Sequence, residues 1–218
     1  MLKEITTDKR KSPLGIASNI WLWERVEKNI NFEKLNKYLL EFEKELLKKP
    51  PVSDGGTGAM GVTSRFPHYN LFLEDNIELK KVENFIIKNV KSFLELKRIE
   101  QREVYIQCWF NVLRDGEQIK THQHRNSDDF HLSYISGNFS TTNNNTKTYY
   151  MNLNNKIVEE VSNEEGKLTL FPSYLPHFSG INESKKERIS IAFDIYPDVS
   201  FINPKFIDSG IIKQMVLE

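Results

Sequence analysis

The chain has 218 residues, enough for one domain with a substantial core, and its 30 basic and 30 acidic side chains cancel to a formal net charge of zero. With no long run of one sign, bulk charge gives no reason to expect a nucleic-acid or membrane-surface partner, and the short basic patch Lys9-Arg10-Lys11 reads as solvated surface. The single cysteine, Cys108, rules out an internal disulfide and sits among apolar residues, as a core side chain does; no stretch approaches the roughly 20 apolar residues of a membrane span, and the polar start Met1-Leu2-Lys3-Glu4 has no apolar export signal, so the expectation is a cytoplasmic protein.

A short strand is expected around Ile16 to Trp23, its tryptophans packing. Asn31 is a plausible N-cap for a helix whose Phe32, Leu35, Leu39, Phe42 and Leu46 recur at intervals of three and four, and Pro50-Pro51 ends it. Ser53 to Gly61 is a glycine-rich loop. It lacks the Gly-Lys-Ser/Thr ending of a phosphate cradle and a strand before it, so it reads as a loop over a site mouth. His68, beside aromatics, reads as a packed or surface histidine with a substrate contact left open. A second helix spans about Glu78 to Leu96.

From Glu103 to Leu113 the period changes to two. Val104, Ile106, Cys108, Phe110 and Val112 make an apolar face for a helix layer, while Tyr105, Gln107, Trp109 and Asn111 make a polar, partly filled interior. Arg114 to Glu117 reads as a turn and Gln118 to His124 as a strand returning beside the first, which would bring Trp109 and Asn111 near His122 and His124. Further strands are expected at residues 130–139, 147–153, 157–162, 167–171 and 188–196. Several short strands after, rather than alternating with, two helices argue for an antiparallel barrel or sandwich backed by helices.

Alternation along an extended chain puts His122 and His124 on one side, close enough to share a metal ion. His177, in a proline-bounded turn, is the best third ligand, and three protein ligands leave coordination positions open. Asp128, Asp129 and His131 are rival ligands beside the pair. Arg188 and Ser190 share one face of a strand whose other face is Ile189, Ile191, Phe193 and Ile195, an arrangement suited to a carboxylate-bearing ligand.

Trp109-Phe110-Asn111, Gly116, His122-Gln123-His124, the run Gly166 to Ser173, Pro176-His177 and the run Glu187 to Phe193 together resemble the 2-oxoglutarate and Fe(II)-dependent oxygenases of the group found in phages and marine bacteria. The likeness covers about residues 103 to 196, and the loop from Asp54 to Arg65 also resembles phage members. It implies a double-stranded β-helix, a cupin-like jelly roll backed by the N-terminal helices. It implies that His122, His124 and His177 hold iron, that Arg188 and Ser190 take the distal carboxylate of 2-oxoglutarate, and that Asn111 touches the cosubstrate. Two departures stand out. The wider superfamily has a carboxylate where this chain has His124, and Leu132-Ser133-Tyr134-Ile135-Ser136-Gly137 lacks the usual cosubstrate tyrosine, for which Tyr134 or Tyr149 could substitute.

The expected protein is therefore an oxygenase using Fe(II), 2-oxoglutarate and O2 to hydroxylate an unactivated C–H bond of a small-molecule or peptide substrate. The alternatives are a cupin-like metal enzyme without 2-oxoglutarate, and a non-catalytic phage binding or assembly protein on the same barrel. The expected organisation is a single domain over 1–218, with helical support and a loop region at 1–100, the β-helix core at 101–198 and an extension at 199–218. Neither the prime substrate nor the oligomeric state is legible, a homodimer being left open.

Overall fold

Asn31 caps the first helix as its side chain allows: Oδ1 accepts the backbone N–H of Lys34 at 3.0 Å, and α1 runs Phe32–Leu46. Asn76 caps α2, Ile77–Leu96, in the same way, accepting from the N–H groups of Glu78 and Leu79. The structure, a computed structural model, describes residues 1–6, 19–124, 134–152 and 154–217. The rival ligands Asp128, Asp129 and His131 and the patch Lys9-Arg10-Lys11 lie outside the described residues, as does the start of the strand expected at 130.

The described residues form ten strands: β1 Leu2–Thr6, β2 Asn19–Val26, β3 Glu103–Leu113, β4 Ile135–Ser140, β5 Lys147–Met151, β6 Ile157–Ser162, β7 Lys167–Pro172, β8 His177–Ser179, β9 Arg188–Tyr196 and β10 Lys213–Val216. They form two sheets. The larger has the order β1-β2-β7-β4-β9-β3-β10 and the smaller β6-β5-β8. Pairings within both are antiparallel.

The apolar face of β3 meets the helices. Leu35 and Leu39 of α1 and Val82, Ile86 and Val90 of α2 form one cluster with Val104, Ile106, Cys108, Phe110, Ile189, Ile191 and Phe193. Each fully buried aliphatic or aromatic side chain contributes about 1.5–3 kcal/mol. Arg114, just past β3, fixes α1 with a bidentate pair to the buried Glu43, at 3.0 and 2.7 Å. Cys108 is in this core, and its burial pushes the thiol well above its ordinary value. A short 3-10 helix, Val199–Phe201, precedes helix α3, Pro204–Asp208, whose Lys205 and Phe206 line the cavity described below. No described helix is long and apolar enough to cross a membrane.

Residues 118–124 depart from expectation. They do not return alongside β3, because both edges of that strand are taken, by β9 and β10. After the turn at Arg114 to Glu117, where Gly116 adopts a φ of 81°, the chain crosses to the smaller sheet and runs beside β8. Ser179 donates its N–H to the carbonyl of Ile119, and His122 and His177 exchange two N–H···O bonds of 3.0 Å across an isolated bridge. The polar face of β3 thus confronts the histidines from the opposite layer.

Candidate metal and cosubstrate site

Three imidazoles converge between the two sheets. The bridge between residues 122 and 177 sets their rings 4.3 Å apart, and His124, whose N–H donates to the carbonyl of Ser173, brings its ring 5.0 Å from that of His177. One ligating atom from each lies within 4.8 Å of the others. The two-residue period that places His122 and His124 together in an extended segment therefore holds, although the segment pairs through one bridge alone.

Each ring is oriented by its other nitrogen. Nδ1 of His122 faces the carbonyl of Lys120 at 2.9 Å, that of His177 the carbonyl of Leu175 at 2.9 Å, and that of His124 the carboxylate of Asp194 at 2.7 Å. All three acceptors take an Nδ1–H, which leaves the Nε2 atoms turned inward. Nε2 of His122 and Nε2 of His124 stand 3.3 Å apart. Two such nitrogens face each other favourably across a shared hydrogen or a metal ion, and cis ligands at about 2.1 Å from one ion stand about 3 Å from each other. The donor set fits iron.

Burial, reinforced by the neighbouring His124, pushes His122 down to about 3; its ring borders the cavity yet is packed round by protein. Burial, then His122 and His124, holds His177 well below the ordinary value. Both are neutral at physiological pH, the form a metal ligand requires.

Arg188 opens β9 at 3 % exposure. Its Nη2 donates to Thr148 Oγ1 at 3.2 Å and to Asn163 Oδ1 at 3.1 Å, while Nε and Nη1 have no partner among the described residues. The hydroxyl of Ser190 on the same face is likewise buried and unpartnered. Burial lowers the guanidinium to about 10, so it remains cationic at neutral pH. A buried cation with two idle N–H groups beside an idle hydroxyl is a cradle for a carboxylate.

These groups line one cavity of about 670 Å3, together with Trp109, Asn111, Thr148 and Asp194. Asn111, opposite Ser190 in the sheet, accepts from Thr63 Oγ1 at 2.8 Å. The ring of Trp109 is 5.5 Å from that of His124. Ser53, Asp54, Gly55 and Thr57 border the mouth, as the glycine-rich loop was expected to do. Gly56 and Gly58 donate to the Asp54 carboxylate, and Lys120 N–H donates to Thr57 O at 2.7 Å, fastening the loop to the segment that leads to His122. His68 also lines the cavity, bonded to the carbonyl of Pro50. Tyr134 donates its hydroxyl to the carbonyl of His124, whereas Tyr149 stacks on Phe178 at 4.8 Å.

Sequence reasoning missed Asp194, Thr148 and Asn163. A signal for Asp194 existed: it shares the alternating face of Arg188 and Ser190, a charged residue in a strand buried along its whole length. Thr148 and Asn163 come from separate strand and loop segments that no local pattern links to Arg188.

Two facing antiparallel sheets, a cluster of three histidines that could hold a metal ion and a buried guanidinium with two donors unpartnered among the described residues make up a protein of the double-stranded β-helix class. Residues 107–194 match the family described as "Putative 2OG-Fe(II) oxygenase", and that match indicates an oxygenase with Fe(II) as cofactor and 2-oxoglutarate as cosubstrate. No curated protein matches in sequence. The fold is shared with a prolyl-4-hydroxylase of Pseudomonas putida, at TM-score 0.54 and 11 % identity over 80 % of this chain and 92 % of that one. It is shared with a viral collagen prolyl hydroxylase of Paramecium Bursaria Chlorella virus-1, at TM-score 0.50 and 12 % identity over 80 % and 94 %. A non-heme monooxygenase, ThoJ, matches at TM-score 0.51 and 15 % identity over 90 % and 76 %.

Proposed function

We propose that the protein hydroxylates an unactivated C–H bond of a small-molecule or peptide substrate, with His122, His124 and His177 holding Fe(II) and with Arg188 and Ser190 receiving the distal carboxylate of 2-oxoglutarate. The observation that carries the reading is the presence, in one cavity, of three inward-turned imidazole nitrogens and a buried guanidinium with two idle donors. When bound, iron and 2-oxoglutarate supply an oxidant from O2 as the keto acid is decarboxylated. The chain's own residues bind, orient and exclude water. Thr148 and Asn163 aim Arg188, Asn111 borders the cosubstrate position, and Trp109 walls the side facing His124. The organisation that goes with this reading is a single domain, 1–218, with the catalytic core at 101–198, support from 1–100 and an extension at 199–218.

The test is turnover. Purified protein with Fe(II), ascorbate and 2-oxoglutarate is offered a panel of prolyl peptides, free amino acids and small metabolites, while succinate and oxidised product are followed. The prolyl hydroxylases among the structural neighbours place peptidyl proline in that panel. Substrate-stimulated succinate formation that disappears in Arg188→Met supports the reading. Bound metal with no binding of 2-oxoglutarate would favour a cupin-like enzyme, against which the idle guanidinium already argues.

A further inference from the structure

We infer that Asp194 supplies, from outside the metal's own ligands, the negative charge that a three-histidine site lacks, and that it is a positioning residue acting through His124. The inference rests on the reading of His122, His124 and His177 as the iron ligands.

Asp194 Oδ1 accepts twice, from Nδ1–H of His124 at 2.7 Å and from the hydroxyl of Ser136 at 2.6 Å. Double acceptance at one oxygen is what a carboxylate does. Ser136 is fully buried on β4 directly opposite Asp194, so the carboxylate is held by one sheet neighbour and by His124, and is itself 6 % exposed. Among the described residues its one ion-pair partner is His124. Arg188, on the same face of β9, does not answer it: six residues of strand separate them by about 20 Å. The strand therefore carries two buried and opposite charges, and among the described residues Arg188 has no anionic partner and Asp194 no cationic partner but the imidazole of His124. Arg188 faces the place of an anion, and Asp194 faces, through one imidazole, the place of a cation.

A carboxylate behind the ring fixes the tautomer and makes Nε2 a stronger donor. In a site with a carboxylate ligand, the negative charge touches the metal directly. Here it stands one ring away, which leaves the ligand neutral while keeping an anion close to the metal. The arrangement also means that position 124 cannot simply be changed to a carboxylate, because the new anion would face Asp194 in a buried space.

Co(II) is titrated calorimetrically, without 2-oxoglutarate, into wild type, His177→Ala, Asp194→Asn, Asp194→Glu, His124→Asp and the double variant His124→Asp/Asp194→Asn. Asp194→Asn is expected to bind about 10- to 100-fold more weakly, the range typical of lost partners behind a ligand, with Asp194→Glu recovering part. His124→Asp alone is expected to bind poorly and the double variant to bind tighter than it, since an amide at position 194 can donate to the introduced carboxylate. That reversal of sign, and a changed Co(II) absorption spectrum in Asp194→Asn, are effects that a merely structural role would not produce. Wild-type affinity in Asp194→Asn, with binding lost in His177→Ala, overturns the inference alone; equal binding in wild type and His177→Ala overturns the iron assignment itself. If Asp194→Asn does not fold, Ser136→Ala takes its place, expected to weaken Co(II) several-fold, and unchanged affinity there overturns the inference.

Discussion

The hydroxyl of Thr63 donates to Oδ1 of Asn111 at 2.8 Å, and both residues are buried, at 4 % exposure each. This bond ties the 3-10 helix Val62–His68, which follows the glycine-rich loop, to the cavity face of β3. Thr63→Val keeps the shape and removes the donor, leaving a buried amide oxygen unsatisfied at a cost of about 1–3 kcal/mol. At roughly 2–4 °C per kcal/mol for a chain of this size, the melting temperature is expected to fall by several degrees. Thr63→Ser should be close to wild type. Equal melting temperatures for Thr63→Val and wild type would show that the bond contributes nothing to stability.

For Arg188 two effects of opposite sign are expected. Its charge-assisted contact with a carboxylate is worth about 1.5–3 kcal/mol, so Arg188→Met should weaken 2-oxoglutarate binding roughly tenfold to a hundredfold, with Arg188→Lys intermediate. Because the guanidinium is buried with neutral partners only, among the described residues, the same Met substitution should leave the ligand-free protein as stable as wild type or more so, by about 1 kcal/mol. Calorimetry with 2-oxoglutarate and thermal unfolding without it measure the two. A variant that is both destabilised and unimpaired in binding would refute the assignment.

Acid should unfold the metal-free protein through its histidines. His122, pushed down to about 3, and His177, pushed well below its ordinary value, have folded-state values under the unfolded value of about 6.5. The unfolded chain then binds more protons between those limits, so stability is fully present above about 6.5 and is lost as pH falls below it. Each such histidine contributes a slope of up to about 1.4 kcal/mol per pH unit. Urea unfolding with a chelator from pH 8 to pH 4.5 should be less steep in His122→Gln/His177→Gln. Parallel curves would remove the two rings from the acid response.

Gly137 on β4 faces the ring of Phe193, and a Cβ placed there would sit 2.1 Å from its Cζ. Gly137→Ala must displace a fully buried ring and is expected to cost at least about 1–3 kcal/mol. Phe193→Leu in the same molecule should return part of that loss, an interaction energy visible in a double-mutant cycle. Strict additivity of the two single changes would mean that the backbone, and not the ring, moves.

Local periodicity carried much of this architecture. The caps at Asn31, the span of β3 and the strands 157–162 and 188–196 follow from residues close together in the chain, and the structure places them where the pattern does. What the pattern could not supply was pairing at a distance. β1, the three-residue β8 and β10 are too short to announce themselves, and the pattern alone puts residues 118–124 beside the wrong neighbour because nothing local tells that both edges of β3 are occupied. The histidine cluster is legible from spacing and chemistry; Asp194 is not, because it faces His124 across the sheets instead of following it in sequence.

The occupation of those edges bears on the order in which the chain is made. β3 pairs on one side with β9 and on the other with β10, residues 213–216, while β2 waits for β7. Asn70 reaches the carbonyls of Ile106 and Ile211, and Lys213 that of Phe72, so the first half is stitched to residues synthesised far later. A nascent chain therefore leaves the ribosome with the β3 edge bare and its apolar face covered by α1 and α2 at most. Such non-local closure folds slowly and exposes a strand to intermolecular pairing meanwhile. Translation stalled before residue 213 should yield a chain that chaperones retain, whereas a chain extended past residue 216 lets β10 cover that edge of β3.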